Sequence, residues 1–275
     1  MDRDVVLVEG PEAAAYLHGQ VSQDVLAVDV GASVLSFLLE PRGPVECLFR
    51  LTRVDQERFV LDTDPGGGEL LASSLNRFKL RTKAEIELAR WQMATIRGAG
   101  AADIDLSGVD GAEVVAWPWD GNGVDLIGPA IEAPAGLMVG SVEEFDADRC
   151  QHGLPAMGSD VQVGDIPNET GLVSLAVSFT KGCYRGQELV ERIDARTGGR
   201  RALVRFRTTG VVAPGDRLYG PVGDEPRSEV GAIRSSFVVG GQSGERVGFA
   251  VVSGGNQALV SADGATVTIA PVGRS

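Results

Sequence analysis

The sequence predicts an α+β fold with an antiparallel β-barrel at its C-terminal end, and three observations predict it. At about 150 residues per domain, 275 residues are too many for one core, so two or three domains are expected. Up to about residue 196, strand-like alternation is interleaved with helix-like stripes, including a βαββαβ-like, ferredoxin-like stretch in the middle. Beyond Gly198-Gly199 only short alternating runs remain, separated by Gly, Pro and Asp turns, which is the pattern of a small antiparallel barrel or sandwich.

Taken in order, Val5–Val8 reads as a strand and Pro11–His18 as a short helix, with proline at its first position and Gly19 closing it. Ser33–Leu39 and Val45–Thr52 read as strands joined by Pro41-Arg42-Gly43-Pro44, a hairpin turn in which proline presets φ and glycine is permissive. A strand at Arg58–Leu61 and the Pro65–Gly68 break lead to a helix over Glu69–Phe78, whose Leu70, Leu71, Ser74, Leu75 and Phe78 form a stripe at helical spacing. Strands follow at Ala84–Leu88, Gln92–Arg97, Glu113–Trp117 and Val124–Ile127, then a helix from Ser141, where Glu144 completes a capping box. In the last part Leu203–Phe206, Val230–Ile233, Val247–Val251 and Ala265–Ile269 read as barrel strands. The glycine-rich stretches carry neither GxGxxG nor a P-loop lysine and read as turns.

Composition narrows the function. No apolar run approaches the roughly 20 residues that span a bilayer. The N-terminus runs straight into a strand without a signal-peptide layout, so a cytoplasmic location is expected. Three widely spaced cysteines, Cys47, Cys150 and Cys183, argue against a disulfide framework, and two histidines, His18 and His152, leave little for a metal site or a Ser-His-Asp triad. No resident metal is expected, and with no long apolar stripe left over the chain is expected to be a monomer. A net charge of −13 argues against general nucleic-acid binding. Against that trend, residues 181–207 hold eight cations, Lys181, Arg185, Arg192, Arg196, Arg200, Arg201, Arg205 and Arg207, and three anions, a local surplus of five. That surplus would draw an anionic partner or simply decorate an exposed strand. Trp117-Pro118-Trp119 is read as packing at a domain edge.

The chemistry concentrates in Lys181-Gly182-Cys183-Tyr184-Arg185-Gly186-Gln187-Glu188. A turn over Phe179–Gly182 feeding a helix over Cys183–Asp194 places Cys183 at a helix N-terminus beside Lys181. There the helix dipole and the ammonium both favour the thiolate. Gly182 and Gly186 let backbone approach a ligand, and Gln187 and Glu188 supply directional hydrogen bonds. Tyr184 would either stack on a ligand or fill the space under the helix.

This octapeptide resembles the K-G-C-Y-x-G-Q-E signature of the YgfZ family, folate-binding proteins related to the glycine cleavage T-protein, an aminomethyltransferase. Similar family segments are matched by His18-Gly19-Gln20-Val21-Ser22-Gln23-Asp24-Val25, Asn76-Arg77-Phe78-Lys79-Leu80-Arg81, Gly153-Leu154-Pro155, Ile166-Pro167-Asn168-Glu169 and Arg192. The resemblance implies a three-subdomain ring. A discontinuous folate-binding core would take residues 1–52 and 141–196, a ferredoxin-like part 53–140 and the barrel 197–275. It also implies a role in maturation or repair of iron–sulfur client proteins with tetrahydrofolate as cofactor; some members are described as tRNA-modifying. On it Cys183 is the essential thiol with Lys181 beside it, while Gln187, Glu188 and Arg192 hold the turn and helix. Gln20 and Glu169 join the pocket from their matching segments.

Two positions depart from the family. The T-protein's catalytic carboxylate corresponds to Glu46 or Cys47, which strand alternation points to opposite faces, and the second choice removes the general acid/base. Gln151 stands where a glutamate usually meets the pterin edge, giving an acceptor without the charge that roughly doubles such a bond. A folate-dependent aminomethyl or C1 transferase and an RNA-binding module are the two alternative functions; the leading one does not require turnover.

Overall fold

The computed structural model describes residues 1–98, 100–106, 109, 113–116, 123–132, 134–194, 201–220, 228–240, 244–253 and 258–272. By internal contacts the chain divides into two compact units: Met1–Met138 with Gln162–Gly164 and Ser174–Glu191, and Val139–Val161 with Asp165–Val173 and Arg192–Ser275.

The first unit is built on β1 (Asp2–Glu9), α1 (Ala13–Gln20), β2 (Ser33–Leu39), β3 (Val45–Arg53), β4 (Arg58–Thr63), α2 (Gly68–Phe78), β5 (Glu85–Arg97), β6 (Glu113–Ala116) and β7 (Gly123–Gly128). Its strands form one antiparallel sheet in the order β2-β3-β4-β1-β5-β7-β6. The sheet runs without interruption across residues 52 and 53. The second helix of the expected βαββαβ set, α3 (Val142–Gln151), falls in the other unit. The two strands expected at Ala84–Leu88 and Gln92–Arg97 are one, β5, held by backbone pairing with β1 from Asp2↔Gln92 to Glu9↔Glu85.

Packing follows the pattern of the side chains. From α2, Leu71 and Leu75 are fully buried, as is Leu17 from α1, and Phe37, Phe49 and Phe59 fill the space against the sheet. Each such side chain stabilises by about 1.5–3 kcal/mol on leaving water. One buried patch of the sheet is ionic. Arg50 donates to its cross-strand neighbour Asp62 through Nε at 2.9 Å and one terminal nitrogen at 3.2 Å, and its other terminal nitrogen reaches Asp125, while Arg3 and Arg97 add a second cation to each carboxylate. Burial pushes the Asp62 and Asp125 carboxyls up, and the arginines outweigh it, holding both below the usual carboxylate range.

The second unit carries α3 and the barrel. Ser141 and Glu144 form the capping box in both directions. The strands β8 (Arg201–Thr208), β9 (Arg217–Tyr219), β10 (Glu229–Ile233), β11 (Phe237–Val238), β12 (Arg246–Ser253), β13 (Ala258–Ser261) and β14 (Thr266–Pro271) pair in the order β10-β9-β13-β14-β8-β12, and β12 pairs back to β10. That closes six antiparallel strands into a barrel, with β11 attached to β12. Closure removes the exposed edges an open sheet would leave. Val204, Phe206, Leu218, Ile233, Val252 and Val267 are among the side chains filling its interior.

Candidate functional site

The signature segment is a turn pinned to the first unit. A helix, α5 (Gln187–Asp194), begins only after it, following the short helix α4 (Val173–Ala176) and an irregular stretch. This corrects the expected helix start at Cys183: the thiol lies outside the first turn of α5, where the dipole's influence falls off. The reason is Gly186. Its φ is +80°, and a Cβ there would lie 2.5 Å from Glu40 O and 3.3 Å from the Cα of Gly43. The chain reverses at Gly186 against the β2–β3 hairpin. Gly43 is as tightly placed, since a Cβ on it would meet that of Leu189 at 2.3 Å. Gln187 closes the turn by accepting from Tyr184 N at 2.8 Å through Oε1.

Two cations fix this turn. Lys181 Nζ donates to the carbonyl oxygens of His18, Val21 and Gln23, the last two at 2.8 and 2.9 Å. The end of α1 leaves such carbonyls without helical partners, and a cation there also complements the dipole. Burial draws the Lys181 ammonium down to about 8, with Asp24 opposing. Three acceptors require three N–H donors on one nitrogen, which only the charged form has. The ammonium also sits 5.0 Å above the Tyr184 ring. Tyr184 is buried at 7% exposure, and its hydroxyl finds no hydrogen-bond partner among the described residues. It therefore fills space beneath the turn, and burial pushes its phenol up to about 12.

The second cation is Arg185, which the sequence marks only as part of the local positive surplus and not as a site residue. Its Nε donates to Leu39 O at 2.6 Å, one terminal nitrogen to Ser74 Oγ at 3.0 Å, and the other to the Glu46 carboxylate. Ser74 itself donates to Glu46 at 2.6 Å. Phe78 lies under the guanidinium, 4.7 Å from its ring centre. The segments around His18, Phe78 and Cys183, distant in sequence, thus meet in one place. Further stitching comes from Ser22 Oγ, which donates to Ala176 O, and Gln23 Nε2, which donates to Leu175 O. Gln20 adjoins this region with its side-chain oxygen buried and unpartnered among the described residues.

The three cysteines separate by environment. Cys47 and Cys150 are buried and Cys183 is exposed. Burial pushes both Cys47 and Cys150 up to about 12, so neither is a thiolate near neutral pH. Glu46 and Cys47 do occupy different surroundings. Glu46 belongs to the Arg185 cluster, whereas Cys47 lies in the core 3.5 Å from Thr63 Oγ1. Gly182, Glu188 and Arg192 are exposed. A Cβ added to Gly182 would meet open space.

In the second unit, Gln151 and Glu169 have structural partners. Arg205 donates to Gln151 O at 2.6 Å, Arg207 to Gln151 Oε1 at 3.2 Å, and Glu169 accepts from Arg201 N at 3.4 Å. Of the positive surplus over 181–207, Lys181, Arg185, Arg205 and Arg207 have partners within the protein, while Arg192 and Arg201 are exposed; Arg196 and Arg200 lie outside the described residues, as do Trp117-Pro118-Trp119. A cavity of about 220 Å³ is lined by Cys150, Gln151, Arg205, Arg207 and Thr268 among others. Among the described residues no helix is long and apolar enough to cross a membrane, and no group of three or more His, Cys, Asp or Glu could hold a metal ion.

No family model matches the chain. It is 24% identical over 272 residues to the tRNA-modifying protein YgfZ of Photobacterium profundum, covering 88% of this chain and 79% of that one. It is 24% identical over 221 residues to the iron-sulfur cluster assembly factor IBA57 homolog, mitochondrial, of Pyricularia oryzae, covering 69% and 51%. Among solved structures, the glycine cleavage system aminomethyltransferase T of Bartonella henselae superposes with a TM-score of 0.76 at 16% identity, over 97% of this chain and 82% of that one. The α+β fold with its C-terminal barrel is therefore the aminomethyltransferase fold. Distant relatives, shared fold and the Lys181–Glu188 signature together make this chain similar to the YgfZ and IBA57 proteins, with the fold of the glycine cleavage T-protein.

Proposed function

We propose that this chain is a folate-binding accessory protein for the maturation or repair of iron–sulfur proteins, acting through the Cys183 thiol. The observation that carries the reading is the contrast among the three cysteines. Two are buried with thiols pushed up to about 12, and the third stands exposed on a turn held by Lys181 and Arg185. A side chain kept for packing would be buried; a rigid frame around an exposed thiol suits a group that meets a partner. The relatives named for tRNA modification and for iron–sulfur cluster assembly support the same role.

The residues present fit part of a folate. The 220 Å³ cavity is smaller than the roughly 300–1,000 Å³ of sites for drug-sized ligands, so it suits one ring system rather than a whole folate. Arg205 Nε is buried with no partner among the described residues, leaving a donor for an acceptor edge, and Gln151 offers an amide beside it. Tetrahydrofolate, when bound, supplies a carrier for a one-carbon unit. The transferase alternative is weaker, because the Glu46 carboxylate already accepts from Arg185 and Ser74 and would have to be released to act as a base.

Anaerobic calorimetry with tetrahydrofolate tests the folate part, using the wild type, Cys183→Ala and Gln151→Glu. Saturable micromolar binding is expected for the first two. Restoring the charge at residue 151 is expected to tighten binding about tenfold, the equivalent of about 1.4 kcal/mol. No binding by any of the three up to millimolar folate would sink it.

A further inference from the structure

We infer that the last residues of α2 and the turn that follows, Arg77–Lys83, are a docking site for the phosphate backbone of RNA, placed beside the Cys183 turn. Two independent features single it out. Arg77, Lys79, Arg81 and Lys83 put four cations in seven residues with no acid among them, in a chain of net charge −13. Their charged ends have no hydrogen-bond or ion-pair partner among the described residues. Leu80, at their centre, is 90% exposed and has φ +49°, alone among the described non-glycine residues in being positive. Backbone of this kind is disfavoured for a leucine, and such outliers gather where function holds them.

The simplest structural account covers only part of this. Cations near the end of α2 complement its dipole, but that influence reaches Arg77 and Lys79 and fades before Arg81 and Lys83. It gives no reason for a leucine held out in water on a strained backbone. The turn is hydrogen-bonded, Thr82 N to Lys79 O at 3.0 Å, so the display is fixed. Glu12 accepts from the backbone N of Lys83, which leaves the lysine side chain free.

The chemistry favours RNA over a protein partner. The apolar area is one leucine beside the half-exposed Phe78, far below the roughly 800 Å² per side of a stable protein interface. Four unpaired cations match a run of phosphates, and an aliphatic tip can wedge against a base or ribose. The net charge rules out a general polyanion-binding surface, so the contact must be local. Phe78 joins this turn to Arg185, so RNA bound here would lie next to the signature segment. The inference does not need the folate reading. Folate binding and RNA binding can each be lost alone.

The test is fluorescence anisotropy of a labelled, unmodified tRNA transcript titrated with full-length protein at 50 and 200 mM salt. Four phosphate contacts predict an affinity falling about 50- to 150-fold between those salts. Arg77→Glu/Arg81→Glu is expected to abolish binding, and the milder Arg81→Gln/Lys83→Gln to weaken it and flatten the salt slope by about 1.5–2. Leu80→Gly is expected to weaken binding while leaving thermal stability equal or higher, since glycine accepts this backbone. A wild type that does not bind the transcript would overturn the inference and leave an acidic protein as the candidate partner. Binding unchanged by the charge substitutions would overturn it too.

Discussion

Arg185 reaches from the signature turn to the carboxylate of Glu46, and its guanidinium carbon rests 4.7 Å from the centre of the Phe78 ring. Both ends of the pair are largely buried, with side-chain exposures of 8% and 16%. The ion pair therefore ties the turn carrying Cys183 to β3 and to the end of α2.

Glu46→Gln keeps a hydrogen-bonding group but removes the charge that Arg185 faces. A loss of about 2–3 kcal/mol in urea unfolding is expected, together with a changed rate of Cys183 alkylation by N-ethylmaleimide. Stability within 0.5 kcal/mol of wild type, about the size of an ordinary surface change, would mean the pair does not hold the turn.

Lys181→Met leaves carbonyls of residues 18–23 without their donor. The expected cost is about 2–4 kcal/mol, from acceptors left unsatisfied. Lys181→Arg should not recover it, because a planar guanidinium cannot aim three N–H bonds from one nitrogen. Chemical denaturation of the three proteins decides this, and full stability of the arginine variant would contradict the geometry.

The Arg50–Asp62–Asp125 cluster predicts the acid limit of stability. Both carboxyls are held below their ordinary range in the folded protein. Their contribution is complete above the unfolded value near 3.9 and is lost as pH falls from there toward the lower folded values. Unfolding free energy should therefore drop below about pH 4. Asp62→Asn takes one of two carboxylate partners from each of Arg50 and Arg3, leaving Asp125 and Asp64, and should cost about 3 kcal/mol at pH 7, with a shallower acid limb. A pH series of urea midpoints measures both; parallel curves would contradict it.

Local signals were enough for elements whose own residues decide them. The Leu71/Leu75 stripe gave α2, the Ser141/Glu144 box gave the start of α3, and Pro41–Pro44 gave the hairpin. β5 was divided because its first half, Glu85–Arg90, lacks clean apolar alternation; backbone pairing with β1 carries it through. The Cys183 turn was misread as helix because what straightens it out of a helix is tertiary: Lys181 on the end of α1 and Gly186 against the hairpin. Gly186, four residues into the expected helix, was the available warning. Arg185 occupies the variable position of the signature, and nothing local marks its reach to Glu46 and Ser74. The contacts of Arg205 and Arg207 on β8 with Gln151 at the end of α3 likewise join residues more than fifty positions apart, which no local pattern marks.

On the proposed function, the exposed thiol of Cys183 is the group the protein works with. The most direct test is the activity of iron–sulfur enzymes in a strain lacking the protein, supplied with either wild type or Cys183→Ser. The side chain is exposed, so the serine variant should accumulate and melt like wild type. The account predicts that it nonetheless fails to restore those activities. Full restoration by the serine variant would show that the thiol is dispensable and would contradict the account.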